Sequence, residues 1–316
     1  MIEIKNLVKR FGEVKALNDL SFTVKDGVAF GLLGRNGAGK TTCIRIIMEI
    51  FAADSGSVRI RGIGENEKQG NIRFGYLPEE RGLYQKRKIS EQMIYIGMLR
   101  GLSKTEAIDR MNLLLKELEA EEYLNRKLDT LSKGNQQKIQ LAIALINDPD
   151  IVILDEPFSG LDPVNAQLLK NIVRKQADSG KTVIFSSHQM PQVEEFCDDI
   201  CIINKGTAVL SGNLDTIKRS YPRNTLLVET GLPPTEDVLT SVKSRMEDHV
   251  SSATIAQKCY AITLKDDSAR GALFEVFTAL GQTPEKFIIK EPSLEEIFVE
   301  KVGDPTEDEK REEAVA

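Results

Sequence analysis

The chain has 316 residues and a net charge of −6, with 41% hydrophobic and 28% charged residues. These proportions are those of a globular protein long enough for one large domain and a smaller one. The excess of acidic residues argues against general affinity for nucleic acid. The sequence contains no run of about 18–20 apolar residues, so no membrane-spanning helix is predicted.

The first 33 residues predict strands that lead into a glycine-rich loop. Apolar residues alternate over 2–4 and 20–24, and a turn at Asp26-Gly27 precedes a short apolar run over 29–33. A helix is predicted over 41–51. The order is therefore strand, glycine-rich loop and helix.

The loop itself reads GRNGAGKT and fits the pattern G-x-x-x-x-G-K-[ST]. Glycines let successive backbone N–H groups point at phosphate oxygens, and the helix that follows adds its N-terminal dipole. Lys40 would neutralise the β- and γ-phosphates, and the Thr41 hydroxyl could bind Mg²⁺. A chance glycine-rich turn is disfavoured by the flanking strand and helix. The predicted nucleotide-binding residues are Gly34, Arg35, Asn36, Gly37, Ala38, Gly39, Lys40, Thr41 and Thr42.

A helical region and a second strand-to-loop transition follow. Apolar residues recur with a helical period over 87–126, and another helix is predicted over 136–147. The run 151–154 is continuously aliphatic, which is typical of a strand buried on both faces of a parallel sheet. It would carry Asp155, a metal ligand, and Glu156, a general base for the attacking water, to the ligand-binding edge of the sheet. Taken alone, this pair is more simply explained as two solvated acids at a strand exit. The glycine-rich loop in the same chain favours the catalytic interpretation instead.

The remaining elements continue the α/β alternation and then change. A helix is predicted around 163–178 and a strand over 182–186. After a boundary at Tyr221-Pro222, the order strand, helix, two strands, helix, strand suggests a small ferredoxin-like domain. Residues 303–316 contain six acidic and two basic side chains and are predicted to be a disordered acidic tail.

Three further segments carry a family resemblance. Residues 131–138 read LSKGNQQK and resemble the LSGGQ signature of ABC ATPases. Residues 159–162 (SGLD) resemble the D-loop of that family, and 186–188 (SSH) resemble its switch-histidine segment. All these segments occur in the family's order within 1–220. The resemblance implies an α/β P-loop ABC ATPase core with a helical subdomain at about 87–150. A small C-terminal α+β domain would occupy 222–302.

The resemblance also implies roles for residues outside the glycine-rich loop. Phe11 matches the aromatic residue that stacks on adenine, although a core phenylalanine in a hairpin is the alternative. Ser132 and Gly134 match residues that reach across a dimer to the γ-phosphate held by the other subunit. His188 would contact the γ-phosphate and help to hold Glu156 and the water in line.

Two positions depart from the family pattern. Glu79 stands where most relatives have glutamine, so the implied Mg²⁺ ligands are Thr41, Glu79 and Asp155, with added negative charge near the phosphates. Lys133 and Asn135 replace other residues of the signature. Lys133 would either add a cation near the partner's nucleotide or face solvent.

The implied partners of this ATP- and Mg²⁺-binding chain lie partly outside it. In the family, the region 87–126 faces a polytopic membrane permease, and the ATPase subunits form a homodimer or heterodimer. Residues 292–298 (PSLEEIF) resemble the extension found on ABC-2-type exporters of the sodium-extrusion and drug-resistance group. We therefore expect an exporter subunit in the cytoplasm, held at the inner face of the membrane by its permease. The alternative is a soluble ABC ATPase without a transport role.

Overall fold

Two units make up the chain in the computed structural model, which describes residues 1–60, 72–79, 82–256 and 258–303. The first unit contains Met1–Leu214 and the segment from Phe298 onward, and the second contains Asp215–Ile297. Apart from Gly303, the predicted acidic tail lies outside the described residues.

The described residues form thirteen strands and ten α-helices. In chain order they are β1 (Ile2–Phe11), β2 (Val14–Val24), β3 (Ala29–Leu33), α1 (Lys40–Ile47), β4 (Ser55–Ile60), β5 (Phe74–Leu77), α2 (Ile89–Leu99), α3 (Lys104–Glu117), α4 (Lys133–Ala144), β6 (Ile151–Asp155), α5 (Pro163–Asp178), β7 (Thr182–Ser187), α6 (Met190–Phe196), β8 (Asp199–Asn204), β9 (Thr207–Asn213), α7 (Leu214–Ser220), β10 (Thr225–Thr230), α8 (Glu236–Arg245), β11 (Val250–Ala256), β12 (Cys259–Leu264), α9 (Arg270–Ala279), β13 (Pro284–Ile289) and α10 (Leu294–Val302).

A six-stranded sheet forms the centre of the first unit, in the order β5-β6-β7-β3-β8-β9. Strands β5, β6, β7, β3 and β8 run parallel, and β9 is antiparallel to β8. Every residue of β3, β6 and β7 is buried, which explains the apolar runs 29–33, 151–154 and 183–185 within these strands. Their carboxyl ends lie at one edge of the sheet, so the loops that follow them meet there.

A second, antiparallel sheet in the first unit has the order β2-β1-β4. Its alternating apolar side chains join the hydrophobic core beneath β3 and α1, with Ile2, Ile4 and Leu20 almost fully buried. Burying one such aliphatic side chain stabilises the folded state by roughly 1.5–3 kcal/mol. The core therefore fixes the strand and the helix on either side of the glycine-rich loop.

The helical region contains α2, α3 and α4. Helix α3 begins with a capping box in which Ser103 and Glu106 exchange hydrogen bonds with each other's backbone N–H. Helix α4 begins at Lys133, three residues before the predicted start. Ser132 is its N-cap and accepts a hydrogen bond from the Asn135 N–H at 3.4 Å, which draws the signature residues into the first turn.

The second unit has the predicted order of elements. Its four strands form one antiparallel sheet in the order β11-β12-β10-β13, the arrangement of a ferredoxin-like βαββαβ unit. Helices α8 and α9 contribute Leu239 and Phe277 to a separate core, in which the Tyr260 and Phe277 ring centroids lie 5.1 Å apart. The predicted fold class, with an α/β core and a small α+β unit, is confirmed.

Within the described part of the chain, every helix is too short or too polar to span a bilayer.

Candidate functional site

Two glycines of the loop between β3 and α1 lie where a side chain would not fit. A Cβ atom at Gly34 would lie 2.4 Å from the carbonyl oxygen of Ile203. A Cβ at Gly39 would lie 2.6 Å from the carbonyl oxygen of Ala16. Gly39 also has φ +110° at the N-cap of α1. Both glycines are therefore required by close backbone approach, as the motif predicts.

Lys40 lies inside the curl of this loop. Its Nζ donates hydrogen bonds to the carbonyl oxygens of Gly34 at 2.6 Å and Arg35 at 3.2 Å, and only 7% of the residue is exposed. Burial lowers the pKa of Lys40, and three nearby carboxylates oppose that shift. The loop thus holds a buried cation where phosphate oxygens are expected to bind.

A cleft of about 410 Å³ opens beside the loop. Its lining contains eight of the nine predicted loop residues and the three predicted acidic residues. The lining residues are Ala16, Arg35, Asn36, Gly37, Ala38, Gly39, Lys40, Thr41, Thr42, Glu79, Asp155 and Glu156, with Gly34 adjoining them through its bond to Lys40.

Asp155 ends β6 and is 2% exposed. Its Oδ2 accepts a hydrogen bond from the Thr41 hydroxyl at 3.3 Å, and its Oδ1 accepts a short one from the Ser186 hydroxyl. Burial raises the pKa of Asp155, and the adjacent Glu156 raises it further. A cation in the cleft would therefore stabilise the ionised carboxylate.

Glu156 follows Asp155 with a left-handed backbone, φ +49°. This conformation is costly for a residue other than glycine and turns its carboxylate toward the end of β7. Oε1 accepts hydrogen bonds from the His188 backbone N–H at 2.8 Å and from His188 Nδ1 at 2.6 Å. Oε2 accepts one from the Ser187 hydroxyl at 3.0 Å. His188 thus joins the cleft through Glu156.

Glu79 follows β5 and brings a third carboxylate to the cleft. Burial raises its pKa, and the charges of Asp155 and Glu156 raise it further. The site thus offers hydroxyl and carboxylate oxygens, the ligands that Mg²⁺ prefers. Among the described residues, no group of three or more His, Cys, Asp or Glu side chains could hold a metal alone. These residues fit Mg²⁺ arriving with phosphate oxygens, which usually supply part of its coordination.

Five predicted residues are absent from the lining of the cleft. Gly34 and His188 adjoin it through hydrogen bonds to Lys40 and Glu156, whereas Phe11, Ser132 and Gly134 have no such contact with it among the described residues. Phe11 is 48% exposed and packs edge to face on Phe51, with ring centroids 5.6 Å apart. Ser132 and Gly134 begin α4, and Ser132 is exposed. Lys133 beside them is exposed as well. Within one chain, the glycine-rich loop and the acidic residues therefore line one cleft, whereas the signature residues Ser132 and Gly134 lie outside it.

Arg35 has a partner that the sequence did not indicate. Its guanidinium donates a 2.5 Å hydrogen bond to the Gly303 carbonyl oxygen and lies 5.9 Å from the centre of the Phe298 ring. Phe298 and Gly303 belong to the same unit as the loop. The C-terminal segment of this unit thus contacts the glycine-rich loop directly.

Sequence reasoning also missed the roles of Ala16, Ser186 and Ser187. Ala16 contacts the loop through its backbone carbonyl, so its residue type gives no indication of this contact. The two serines were noted only as flanking His188. The sequence could have indicated them, because they are the first polar residues after the apolar run 183–185 of β7.

Replacing Gly39 by alanine is expected to weaken nucleotide binding and to lower the free energy of unfolding by about 1–3 kcal/mol. The added methyl group would collide with the Ala16 carbonyl, and φ +110° is unfavourable for alanine. Urea denaturation and ATP titration measure the two effects. Gly27→Ala is a matched control, because Gly27 has φ +72° and its nearest neighbour is 3.8 Å away. Equal effects in both variants would contradict the proposed close approach.

Two family profiles match the chain. The profile described as ABC transporter matches residues 17–159. The profile described as ATP-binding protein DrrA1-3-like, C-terminal domain, matches residues 212–302.

Individual relatives agree with these matches. ABC transporter ATP-binding protein YhaQ of Bacillus subtilis (strain 168) is 39% identical over 310 residues, covering 96% of this chain and 99% of YhaQ. Nod factor export ATP-binding protein I of Burkholderia lata is 34% identical over 213 residues, covering 67% of this chain and 70% of that protein. A solved dimeric structure of a bacterial ABC transporter cassette has a TM-score of 0.60 at 25% identity, covering 68% of this chain and 99% of that one. The predicted family is confirmed: the chain belongs to the ATP-binding proteins of ABC transporters and is an ATPase of that type.

Proposed function

We propose that this ATPase is the energy-supplying subunit of an ABC exporter and drives a separate polytopic membrane permease. The export assignment is supported by the relative named for Nod factor export and by the DrrA-like match over the second unit. On this proposal the chain lies at the inner face of the membrane through its permease. We assign residues 1–220 to the nucleotide-binding domain, with its helical subdomain at about 87–150, and 222–302 to an accessory domain. These bounds differ from the two units described above, which divide the chain after Leu214 and after Ile297.

The observation that carries the proposal is that the site in one chain is incomplete. The phosphate loop and the acidic residues line one cleft, whereas Ser132 and Gly134 lie outside it. In our proposal a second ATPase subunit, identical or related, supplies its own signature residues to this cleft. Two ATP molecules then join the subunits head to tail, and hydrolysis separates them.

Each residue of the cleft then has a defined task in hydrolysis. Lys40 leaves the loop carbonyls and neutralises the β- and γ-phosphates. Thr41, Asp155 and Glu79 hold Mg²⁺, which would neutralise charge on the phosphate oxygens. Glu156 accepts the proton of the attacking water. His188 fixes Glu156 through two hydrogen bonds. In this proposal it would also contact the γ-phosphate.

A charge at Ser132 tests the shared site without disturbing the fold. Aspartate caps a helix about as well as serine does, so Ser132→Asp should retain the start of α4 and the stability of the monomer. Its negative charge would face the partner's γ-phosphate, so ATP-dependent dimerisation and hydrolysis should fall at least about tenfold. Sedimentation velocity with and without ATP measures the dimer.

Ser132→Asn is the matched control, because asparagine caps equally well and is neutral. We expect it to dimerise substantially better than the aspartate variant. If both variants dimerise like the natural chain, Ser132 does not face a nucleotide. If both fail, the loss is not electrostatic.

The export assignment requires a permease. Co-purification of the tagged chain with a polytopic membrane protein, followed by reconstitution in vesicles, should give ATP-dependent movement of cargo away from the face that carries the ATPase. Movement toward that face would refute export. Full ATPase activity with no membrane protein recovered would favour a role outside transport.

A further inference from the structure

The two carboxylate oxygens of Glu156 are not equivalent. An ionised carboxylate has about four positions at which it can accept a hydrogen bond, two on each oxygen. Both positions on Oε1 are taken by the backbone N–H and the ring Nδ1 of His188. Among the residues that the structure describes, Oε2 accepts a single hydrogen bond, from Ser187. Only Oε2 therefore has a position left for a proton from water.

The Ser187 hydroxyl is committed to this contact. Its oxygen accepts a hydrogen bond from the backbone N–H of Gln189 at 3.0 Å, which fixes the oxygen at the end of β7. Its single proton points to Oε2 of Glu156, since an ionised carboxylate cannot donate. Ser187 is fully buried, so water does not compete for the hydroxyl.

We propose that Ser187 is a positioning residue for ATP hydrolysis, which holds Oε2 of Glu156 as the oxygen that receives the proton of the attacking water. The inference rests on the base role of Glu156 proposed above. The water oxygen bonds to the γ-phosphorus, and the bond from that phosphorus to the bridging oxygen breaks. The bridging oxygen leaves with the electron pair on ADP, and the water proton moves to Oε2. That proton later passes to the released phosphate.

The neighbouring serine serves the other carboxylate. Ser186 lies opposite Asp155 in the register of β6 and β7 and donates to its Oδ1. Adjacent residues of a strand point to opposite faces, so Ser186 and Ser187 hold their carboxylates from different sides. The two serine hydroxyls at the end of β7 thus each orient one carboxylate. Ser186 holds Asp155 toward the Thr41 hydroxyl, and Ser187 holds Glu156 toward His188.

The test compares two variants that differ only in the hydroxyl. Threonine and valine have nearly the same shape, so Ser187→Thr and Ser187→Val add the same bulk at the buried position. We expect the valine variant to have a kcat about ten- to a hundredfold lower than the threonine variant. The KM for ATP and ATP-dependent dimerisation should agree within about threefold. Equal kcat values in the two variants would overturn the proposal.

Two controls separate positioning from stability. Thr182→Val removes another buried hydroxyl from the opposite end of β7, where it donates to Asp26, and should leave kcat unchanged. In single-turnover measurements on the Glu156→Gln background, the threonine and valine variants should hydrolyse ATP at the same rate. A remaining tenfold difference there would show that Ser187 acts without Glu156. Normal turnover of Glu156→Gln alone would instead refute the base role itself.

Discussion

Replacing Glu156 by glutamine is expected to lower the rate of ATP hydrolysis by about 10²- to 10⁴-fold, the usual contribution of a general base. Glutamine has the size of glutamate, so the backbone at φ +49° and its neighbours need not move. Its amide oxygen can accept both hydrogen bonds from His188 in place of Oε1. The amide nitrogen then replaces Oε2 and cannot take a proton from water.

The same variant should bind ATP normally and accumulate as an ATP-bound dimer. Neither the contacts of Lys40 nor those of Thr41 involve the Glu156 carboxylate through a hydrogen bond. Phosphate release, ATP titration and sedimentation measure the three properties. Glu117→Gln, on an exposed position of α3, is the control and should hydrolyse ATP like the natural chain. Unchanged turnover in Glu156→Gln would refute its assignment as the base.

Much of this site can be predicted from the sequence, because backbone geometry determines where its residues lie. The apolar runs 29–33 in β3, 151–154 in β6 and 183–185 in β7 stop at or just before the carboxyl ends of the strands, so their pattern shows where each strand ends. Parallel pairing then places the three following segments at one edge. The glycines of the loop can also be interpreted from the sequence, because close backbone contacts exclude any other residue at Gly34 and Gly39.

The side-chain partners could not be read in the same way. Arg35 and Gly303 are 268 positions apart, and no periodicity links them. The assignment of Ser186 to Asp155 and of Ser187 to Glu156 depends on the register between β6 and β7 and on the left-handed backbone of Glu156. Patterns report burial and strand ends, whereas these contacts depend on rotamers and on pairing between distant segments.

Replacing Lys40 by methionine is expected to weaken ATP binding at least about 100-fold, which corresponds to ~2.7 kcal/mol. Lys40 is the cation held inside the loop, and the cleft beside it contains the carboxylates of Glu79, Asp155 and Glu156. Without the ammonium group, the triphosphate would meet these negative charges alone. Methionine retains most of the apolar part of the lysine side chain, so the loss of ATP affinity measures the contribution of the positive charge.

The folded protein without nucleotide should be at least as stable after this change. Burial lowers the pKa of Lys40 from its usual 10.5, so the folded chain binds this proton less tightly than the unfolded chain does. The charged side chain therefore lowers the free energy of unfolding at pH 7. This penalty is fully present below the folded pKa and disappears as the pH rises above 10.5.

Urea denaturation at pH 7 should therefore show an unchanged or higher midpoint for Lys40→Met, while ATP titration shows the loss of binding. Opposite changes in stability and binding are expected where a charge is buried for a ligand rather than for the fold. Lys138→Met is a matched control, because Lys138 is 6% exposed on α4 and does not line the cleft. A large fall in the stability of Lys40→Met would instead mean that the lysine holds the loop together, and its bonds to the Gly34 and Arg35 carbonyls would then be structural.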